Sequence, residues 1–149
     1  TSFISSTFWS DRIGPTAALK TLQVMDKLKS WELITNTGNS IRVKLANLAK
    51  MKKLKIKQSG LASLNSYSIV SSNYSSLEYK TYITQEMLKS GYLASNSVYS
   101  CISHNINIID NFFQALEPVF DNIKECEDGR DLNELLEYPI SHSGFKRLN

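Results

Sequence analysis

Two groups of residues in this sequence have side chains and spacings that could do chemistry. The first is the run Ser5, Ser6 and Thr7, whose hydroxyl groups come just before a pattern that predicts a helix. Hydroxyls and free backbone N–H groups at a helix start, together with the positive end of the helix dipole, suit an anion such as a phosphate. Ordinary helix capping by Ser or Thr is the simpler interpretation of the spacing alone.

The second group is Cys101 and His104, with His142 further along the chain. A thiol and an imidazole could act as nucleophile and base, and the three residues together could ligate a metal. A Cys and a His at the end of a strand are more often buried and hydrogen-bonded. Asp11 and Asp110 have no acid–base partner at a diagnostic spacing, and no Gly-rich phosphate loop occurs. The residues alone therefore predict no catalytic residue and no metal site.

The composition narrows the class of protein. Apolar residues make up 42% and charged residues 21%, which is close to the average of soluble globular domains. A lysine run between residues 50 and 57 contributes to the net charge of +3, but no aromatic residues alternate with it as they do on base-stacking surfaces. Two cysteines are too few for a disulfide framework. We expect a cytoplasmic protein with no nucleic-acid and no membrane partner. Because the chain begins without Met, we also expect a piece of a longer protein.

The elements that must position these residues begin with a helix. Pro is tolerated in the first turn of a helix, so Gly14-Pro15 predicts a start between Asp11 and Pro15 and an end near Ser30. Apolar residues at steps of three and four indicate one buried stripe on this helix, made of Ile13, Ala17, Ala18, Leu22, Met25, Leu28 and Trp31.

A second helix is predicted across a stretch that resembles a loop. Residues 35–40 are Thr, Asn, Gly and Ser, which are typical of turns. A helical period nevertheless continues through them in Ile34, Gly38, Ile41, Leu45 and Leu48. We follow the period, and expect Gly38 on the inward face, where a close neighbour leaves no room for a side chain.

Two adjoining strands should follow. Residues 55–59 alternate polar and apolar, Gly60 marks a turn or bulge, and residues 62–70 alternate again with Leu64 on one face. A helix is then predicted over residues 77–88, with Gly91 as the left-handed residue that commonly closes a helix.

The last elements are a short strand and a long helix. The strand is predicted at residues 98–103, and Asn105 should cap the helix, which Pro118 should kink or break. Residues 127–149 should cross the surface as irregular chain. The order of elements predicts an α+β fold, a small antiparallel sheet with its helices packed on one face.

Three segments resemble the class III aminotransferases, which depend on pyridoxal phosphate (PLP), and among them the glutamate-1-semialdehyde aminomutases. Residues 6–22 resemble the family's Gly-Thr-x-Ser-x-Asn-Pro-x-Ala-x-Ala-Ala-x-Leu-x-Thr-Leu stretch. Residues 86–94 are similar to its Met-Leu-x-x-Gly-Val-Tyr-Leu-Ala segment. Ser103-His104-Asn105 with Ile109-Asp110 resembles its Ala-His-Thr and downstream Ile-Asp. The three segments keep the family's order over residues 5–125.

The resemblance implies a fold-type I enzyme that transfers an amino group through the pyridoxamine form of PLP. Residues 1–30 would be the end of the large domain with the connecting helix, and residues 31–149 the small C-terminal domain. By position, Thr7 would hold the cofactor phosphate of the partner subunit in a homodimer, and Ser6, where the family has Gly, is a second candidate donor. His104 matches a family position and is interpreted as structural.

Departures from the family pattern limit these implications. Ser10-Asp11-Arg12 replaces the usual Gly-Asn-Pro, which leaves the amino or keto substrate open, and with it the choice between aminotransferase and aminomutase. The family's catalytic lysine lies upstream of the matched segments, so this chain alone should be inactive. The alternative is a binding or interaction module that has the small-domain fold without the chemistry.

Overall fold

The computed structural model describes residues 10–142 and residue 144. Its elements are α1 (Ile13–Leu28), α2 (Ser30–Met51), β1 (Ile56–Leu61), β2 (Leu64–Ile69), α3 (Ser76–Lys89), β3 (Ser97–Tyr99), α4 (Ile106–Glu127) and a 3-10 helix (Leu132–Glu134). The strands form one antiparallel sheet in the order β1-β2-β3. The predicted α+β fold with a small antiparallel sheet is therefore confirmed.

The sheet buries one face only. On β2 the buried side chains are Asn65, Tyr67 and Ile69, while Leu64 lies on the opposite face and is 39% exposed. The predicted alternation is confirmed, but Leu64 does not mark the face that packs. Gly60 lies inside β1 with φ of 83°, and the turn itself falls at residues 62–63, between the paired Leu61 and Leu64.

A single hydrophobic core joins this face to α2, α3 and α4. Burying large apolar side chains is the main favourable term in folding, and each contributes roughly 1.5–3 kcal/mol. Large buried side chains from the sheet and helices meet in this core together with one from the 3-10 helix: Tyr67, Leu45, Tyr79, Tyr82, Ile83, Met87, Leu116, Phe120, Ile123 and Leu132.

Helix α2 runs without a break through residues 35–40, as the hydrophobic period predicted. Gly38 is buried against the turn between β1 and β2, and a Cβ on it would lie 1.9 Å from the carbonyl oxygen of Ala62. The expectation of a close neighbour at Gly38 is confirmed. The backbone of the hairpin turn approaches the helix because this position has no side chain.

Helix α1 corrects the prediction of a buried stripe, because none of its residues is buried. Lys29, with φ of 47°, separates α1 from α2, so the first helix ends near the predicted residue. Several large apolar side chains of α1 are exposed instead, namely Ile13, Leu19, Leu22, Val24, Met25 and Leu28. The periodic pattern reflects a face suited to burial, and no element among the described residues covers it.

The ends of α3 and α4 are fixed by local hydrogen bonds. Ser75 and Glu78 form a capping box at the start of α3, and Gly91 follows its end with φ of 83°, as predicted. The Asn105 side chain accepts the N–H of Ile108 at 3.1 Å, which confirms the predicted cap of α4. The strand between them is shorter than residues 98–103 and covers only Ser97–Tyr99.

Pro118 does not break α4, which continues to Glu127. A proline inside a helix removes one hydrogen bond and costs about 3 kcal/mol. Leu116 before it and Val119 and Phe120 after it are all buried, so ending the helix there would uncover core side chains. Tertiary packing therefore outweighs the local preference.

We expect Pro118→Ala to raise the free energy of unfolding of the chain by about 2 kcal/mol, since Pro118 is exposed and alanine restores the missing N–H donor. Urea unfolding followed by circular dichroism measures this change. Gln114→Ala, an exposed position one turn earlier in α4, serves as the control and should change stability by less than about 0.5 kcal/mol. A loss of stability in Pro118→Ala would contradict the assignment.

The chain after α4 was predicted to cross the surface as irregular chain, but it contains the 3-10 helix Leu132–Glu134 and is fixed to the domain. Leu132 is 1% exposed, and its N–H donates to the hydroxyl of Tyr74 at 3.1 Å. The Gln85 side chain on α3 binds both the carbonyl of Leu135 at 2.9 Å and the N–H of Glu137 at 2.8 Å. The segment therefore contributes to the core and to the surface of α3.

Candidate functional site

Ser6 and Thr7, the predicted phosphate-binding residues, lie outside the described residues. The described part of that region begins at Ser10, and α1 starts at Ile13. This start lies within the predicted range of Asp11 to Pro15, six positions beyond Thr7. The proposed role of Ser6 and Thr7 rests on the family resemblance and stays a prediction.

The start of α1 carries a negative charge of its own. The N-cap residue Arg12 makes no side-chain cap, and the N–H of Ile13 donates to Asp11 Oδ1 at 3.0 Å. A carboxylate at a helix N-terminus is stabilised by the helix dipole and uses a donor that a phosphate would need. The Asp11 carboxylate therefore already uses one of the free donors at this helix end.

Cys101 and His104 form a local backbone contact. His104 Nδ1 accepts the N–H of Cys101 at 3.3 Å, which places the proton of the neutral imidazole on Nε2. His142 lies elsewhere, in a cavity beside α3 with Lys80 and Thr84. No group of three or more His, Cys, Asp or Glu side chains is arranged to hold a metal ion within residues 10–142.

One lysine of the run, Lys52, is paired with carboxylates of α4. Lys52 Nζ lies 2.9 Å from Glu117 Oε1 and 2.7 Å from Asp121 Oδ1. Hydrogen bonds to Asp121 and then to Glu117 raise the pKa of Lys52 above its ordinary value. The lysine joins α2 to α4, which is a structural use of part of the run. No described helix is both long and apolar enough to cross a membrane.

Sequence reasoning missed the buried polar contacts. Asn65 is fully buried, and its side chain accepts from Arg42 Nε at 3.2 Å and donates to Gln58 at 3.4 Å. The same guanidinium donates to the carbonyl of Gly60 at 2.5 Å, so Arg42 ties α2 to the hairpin. A buried polar group must be paired to avoid a large desolvation cost. An Asn that alternates with Tyr67 and Ile69 was the available signal for such a partner.

A second missed contact joins α3 to the end of α4. Glu127 accepts hydrogen bonds from the hydroxyls of Ser71, at 2.6 Å, and of Tyr79. Desolvation by burial, and then the Glu127 carboxylate, raise the pKa of Tyr79 well above its ordinary value. These groups hold the domain together.

Comparison with known proteins identifies the fold. No family model matches the chain, and no curated protein matches its sequence. Among solved structures, the FumI protein of Sphingopyxis sp. MTA144, in its PLP internal aldimine form, matches with a TM-score of 0.72 at 16% identity. The match covers 91% of this chain and 33% of that one. The chain thus has the fold of part of a PLP-dependent protein and spans about one third of its length.

Proposed function

We propose that this chain is the small-domain part of a PLP-dependent enzyme that transfers amino groups. The observation that carries the proposal is the agreement of fold with FumI over 91% of this chain. At 16% identity the agreement concerns the fold, and the step from fold to activity is part of the proposal. The resemblance of residues 6–22, 86–94 and 103–110 to class III aminotransferases supports the finer assignment to that class, on the aminomutase side.

The exposed face of α1 gives independent support. Large apolar side chains recur along the whole length of this helix, and Leu22 is 61% exposed and Ile13 76%. An apolar face of this extent suits a partner domain more than water. In the proposed enzyme the large domain covers this face, and α1 is the connection between the two domains.

We assign separate roles to the two domains of the proposed enzyme. Since the start of α1 is occupied by Asp11, the cofactor is assigned to the large domain and to Thr7. PLP would supply the electron sink and the Schiff-base chemistry of amino transfer. The small domain would hold its sheet and helices as a rigid body beside the active site. The homodimer and the cytoplasmic location belong to the same proposal.

The direct test uses the complete protein that contains this chain, purified with PLP and then dialysed. We expect a visible absorption band that borohydride abolishes, with the pyridoxyl group then found on one lysine by peptide mass mapping. If no lysine gains this mass, the enzyme proposal fails and the non-catalytic module is favoured.

Thr7→Ala in the complete protein should weaken cofactor retention by roughly 1–3 kcal/mol, the usual cost of losing a hydrogen bond to a charged group. Equilibrium dialysis against PLP measures the change. Thr7→Ser keeps the hydroxyl and should bind like the parent protein. Thr16→Ala, at an exposed position of α1, is the matched control and should have no effect. Equal affinity of Thr7→Ala and Thr16→Ala would reject the role of Thr7.

A further inference from the structure

A cavity of about 310 Å³ lies between α2, the segment after α3, β3 and the start of α4. Its lining is mostly apolar and includes Ile41, Tyr92, Val98, Ile109 and Phe112. Ile41 and Ile109 are 4% and 7% exposed, yet neither belongs to the main core cluster. They are buried side chains beside a concave opening, separate from the core that holds the domain together.

Part of the wall of this cavity is made of packed aromatic rings. The ring of Tyr92 packs edge-on against Phe112, with centroids 5.6 Å apart, and Phe112 packs in the same way against Phe113 at 5.5 Å. The N–H of Tyr92 donates to the carbonyl of Met87 at 2.8 Å, which fixes the segment to the end of α3. These contacts pack two rings of the lining, Tyr92 and Phe112, against each other.

Polar residues also line this cavity. His104 uses Nδ1 for the N–H of Cys101, and its Nε2 has no hydrogen-bond partner among the described residues. Tyr92 and Tyr99 belong to the same lining, and neither hydroxyl has a hydrogen-bond partner within residues 10–142. The nearest carboxylate on α4, Asp110, is paired with Lys44 at 2.8 Å. His104 Nε2 can only donate, because Nδ1 already accepts, and a tyrosine hydroxyl can donate as well as accept, so these groups can together donate to one acceptor.

We infer that this cavity is a binding site for a small organic molecule that combines a compact apolar group, such as an aromatic ring, with a carboxylate. An apolar cavity of this size with a few polar groups is the usual form of a small-molecule site. The ring would lie between Tyr92, Phe112 and Ile109. The carboxylate would accept from His104 Nε2 and from a tyrosine hydroxyl.

The size of the cavity favours this occupant over a protein segment. A docked helix needs a groove with anchors at intervals of three and four residues, whereas a volume of about 310 Å³ is in the range of a site for one small molecule. The inference concerns the chain without cofactor, so it does not depend on the proposed enzyme activity. Its failure would leave that proposal unchanged.

The test is an NMR titration of the purified chain with 3-phenylpropanoate, using isoleucine methyl and backbone amide signals. We expect saturable shifts at Ile41, Ile109 and Tyr92, and weaker binding of 3-phenylpropanol, which lacks the carboxylate. His104→Ala should weaken binding of 3-phenylpropanoate about tenfold, as expected for a lost bond to a charged group, and binding of the alcohol less than twofold. His142→Ala is the matched control and should bind both probes like the parent.

A second variant guards against a folding defect in His104→Ala. Leu93 lies on the rim and is 98% exposed, so Leu93→Asp removes no packing while adding a repulsive charge. It should weaken binding of the carboxylate more than that of the alcohol. The inference is overturned if neither probe gives saturable shifts. It is also overturned if both histidine variants bind alike, or if the same signals shift with chain concentration, which would indicate that a second copy covers the cavity.

Discussion

Replacing Gly38 with alanine is expected to lower the free energy of unfolding of the chain by about 3 kcal/mol or more, at the upper end of the cost of overpacking. The new Cβ would lie 1.9 Å from the oxygen and 2.4 Å from the carbon of the Ala62 carbonyl. Both atoms belong to the backbone, so no side-chain rotation can relieve the clash. Either α2 or the hairpin must move, and Arg42 and Asn65 would lose their hydrogen bonds across this contact.

The sign of this effect separates packing from helix propensity. In a helix interior, alanine is favoured over glycine by about 1 kcal/mol, so a simple helical position would become more stable. Gly14→Ala in α1 is the matched control, because nothing lies within 4 Å of the place its methyl group would take, and stability should be unchanged or higher. Urea unfolding of both variants measures the difference. Gly38→Ala combined with Ala62→Gly should remain destabilised, since the obstacle is the Ala62 backbone, and recovery in that double variant would contradict the geometry.

Gly38 also illustrates what the sequence could predict. The helical period through a polar stretch was a stronger signal than the local composition, because five apolar or small positions at the right spacing describe a face that must pack. The same reasoning overestimated α1. Its apolar spacing correctly predicted a helix, but spacing describes a face and not the partner that covers it. Among the described residues, no element packs on the apolar face of α1.

Contacts between distant segments were beyond sequence reasoning. The cavity is lined by residues of α2, of α4 and of the segment that follows α3. No local spacing in the sequence relates Ile41, Tyr92 and Ile109 to one another. The same holds for Glu127, which binds hydroxyls that lie 48 and 56 positions earlier in the chain. The break that Pro118 could have caused is absent for a related reason, since its cost is local and the compensating burial is tertiary. For Ser6 and Thr7, family resemblance alone provided the prediction.

Alkaline pH is expected to unfold the chain through three buried tyrosines. Tyr67, Tyr79 and Tyr82 are each at most 2% exposed, and burial raises all three pKa values. For Tyr82, desolvation and then the charge of Glu86 raise the pKa to about 12. An unfolded tyrosine has a pKa near 10, so above that pH the unfolded chain releases protons that the folded chain retains.

The direction of the pH effect follows from this difference. Groups whose folded pKa is raised contribute their full stability below the unfolded pKa, and the contribution falls as pH increases towards the folded pKa. Each tyrosine should contribute a loss of about 1.4 kcal/mol by pH 11, and the three together about 4 kcal/mol relative to pH 8. Because this approaches the total stability of many small domains, unfolding should occur near that pH.

Tyr67→Phe provides a matched test of this linkage. The Tyr67 hydroxyl donates only a long bond, 3.4 Å, to the carbonyl of Ser95, so phenylalanine should fold nearly as well at pH 8. One titrating group is then absent, and the loss of stability between pH 8 and pH 11 should fall by about one third. Urea unfolding at each pH, combined with phenolate absorbance at 295 nm, measures both quantities. If all tyrosines ionise smoothly while the circular dichroism remains native, burial does not control their titration and the core assignment at Tyr67, Tyr79 and Tyr82 is wrong.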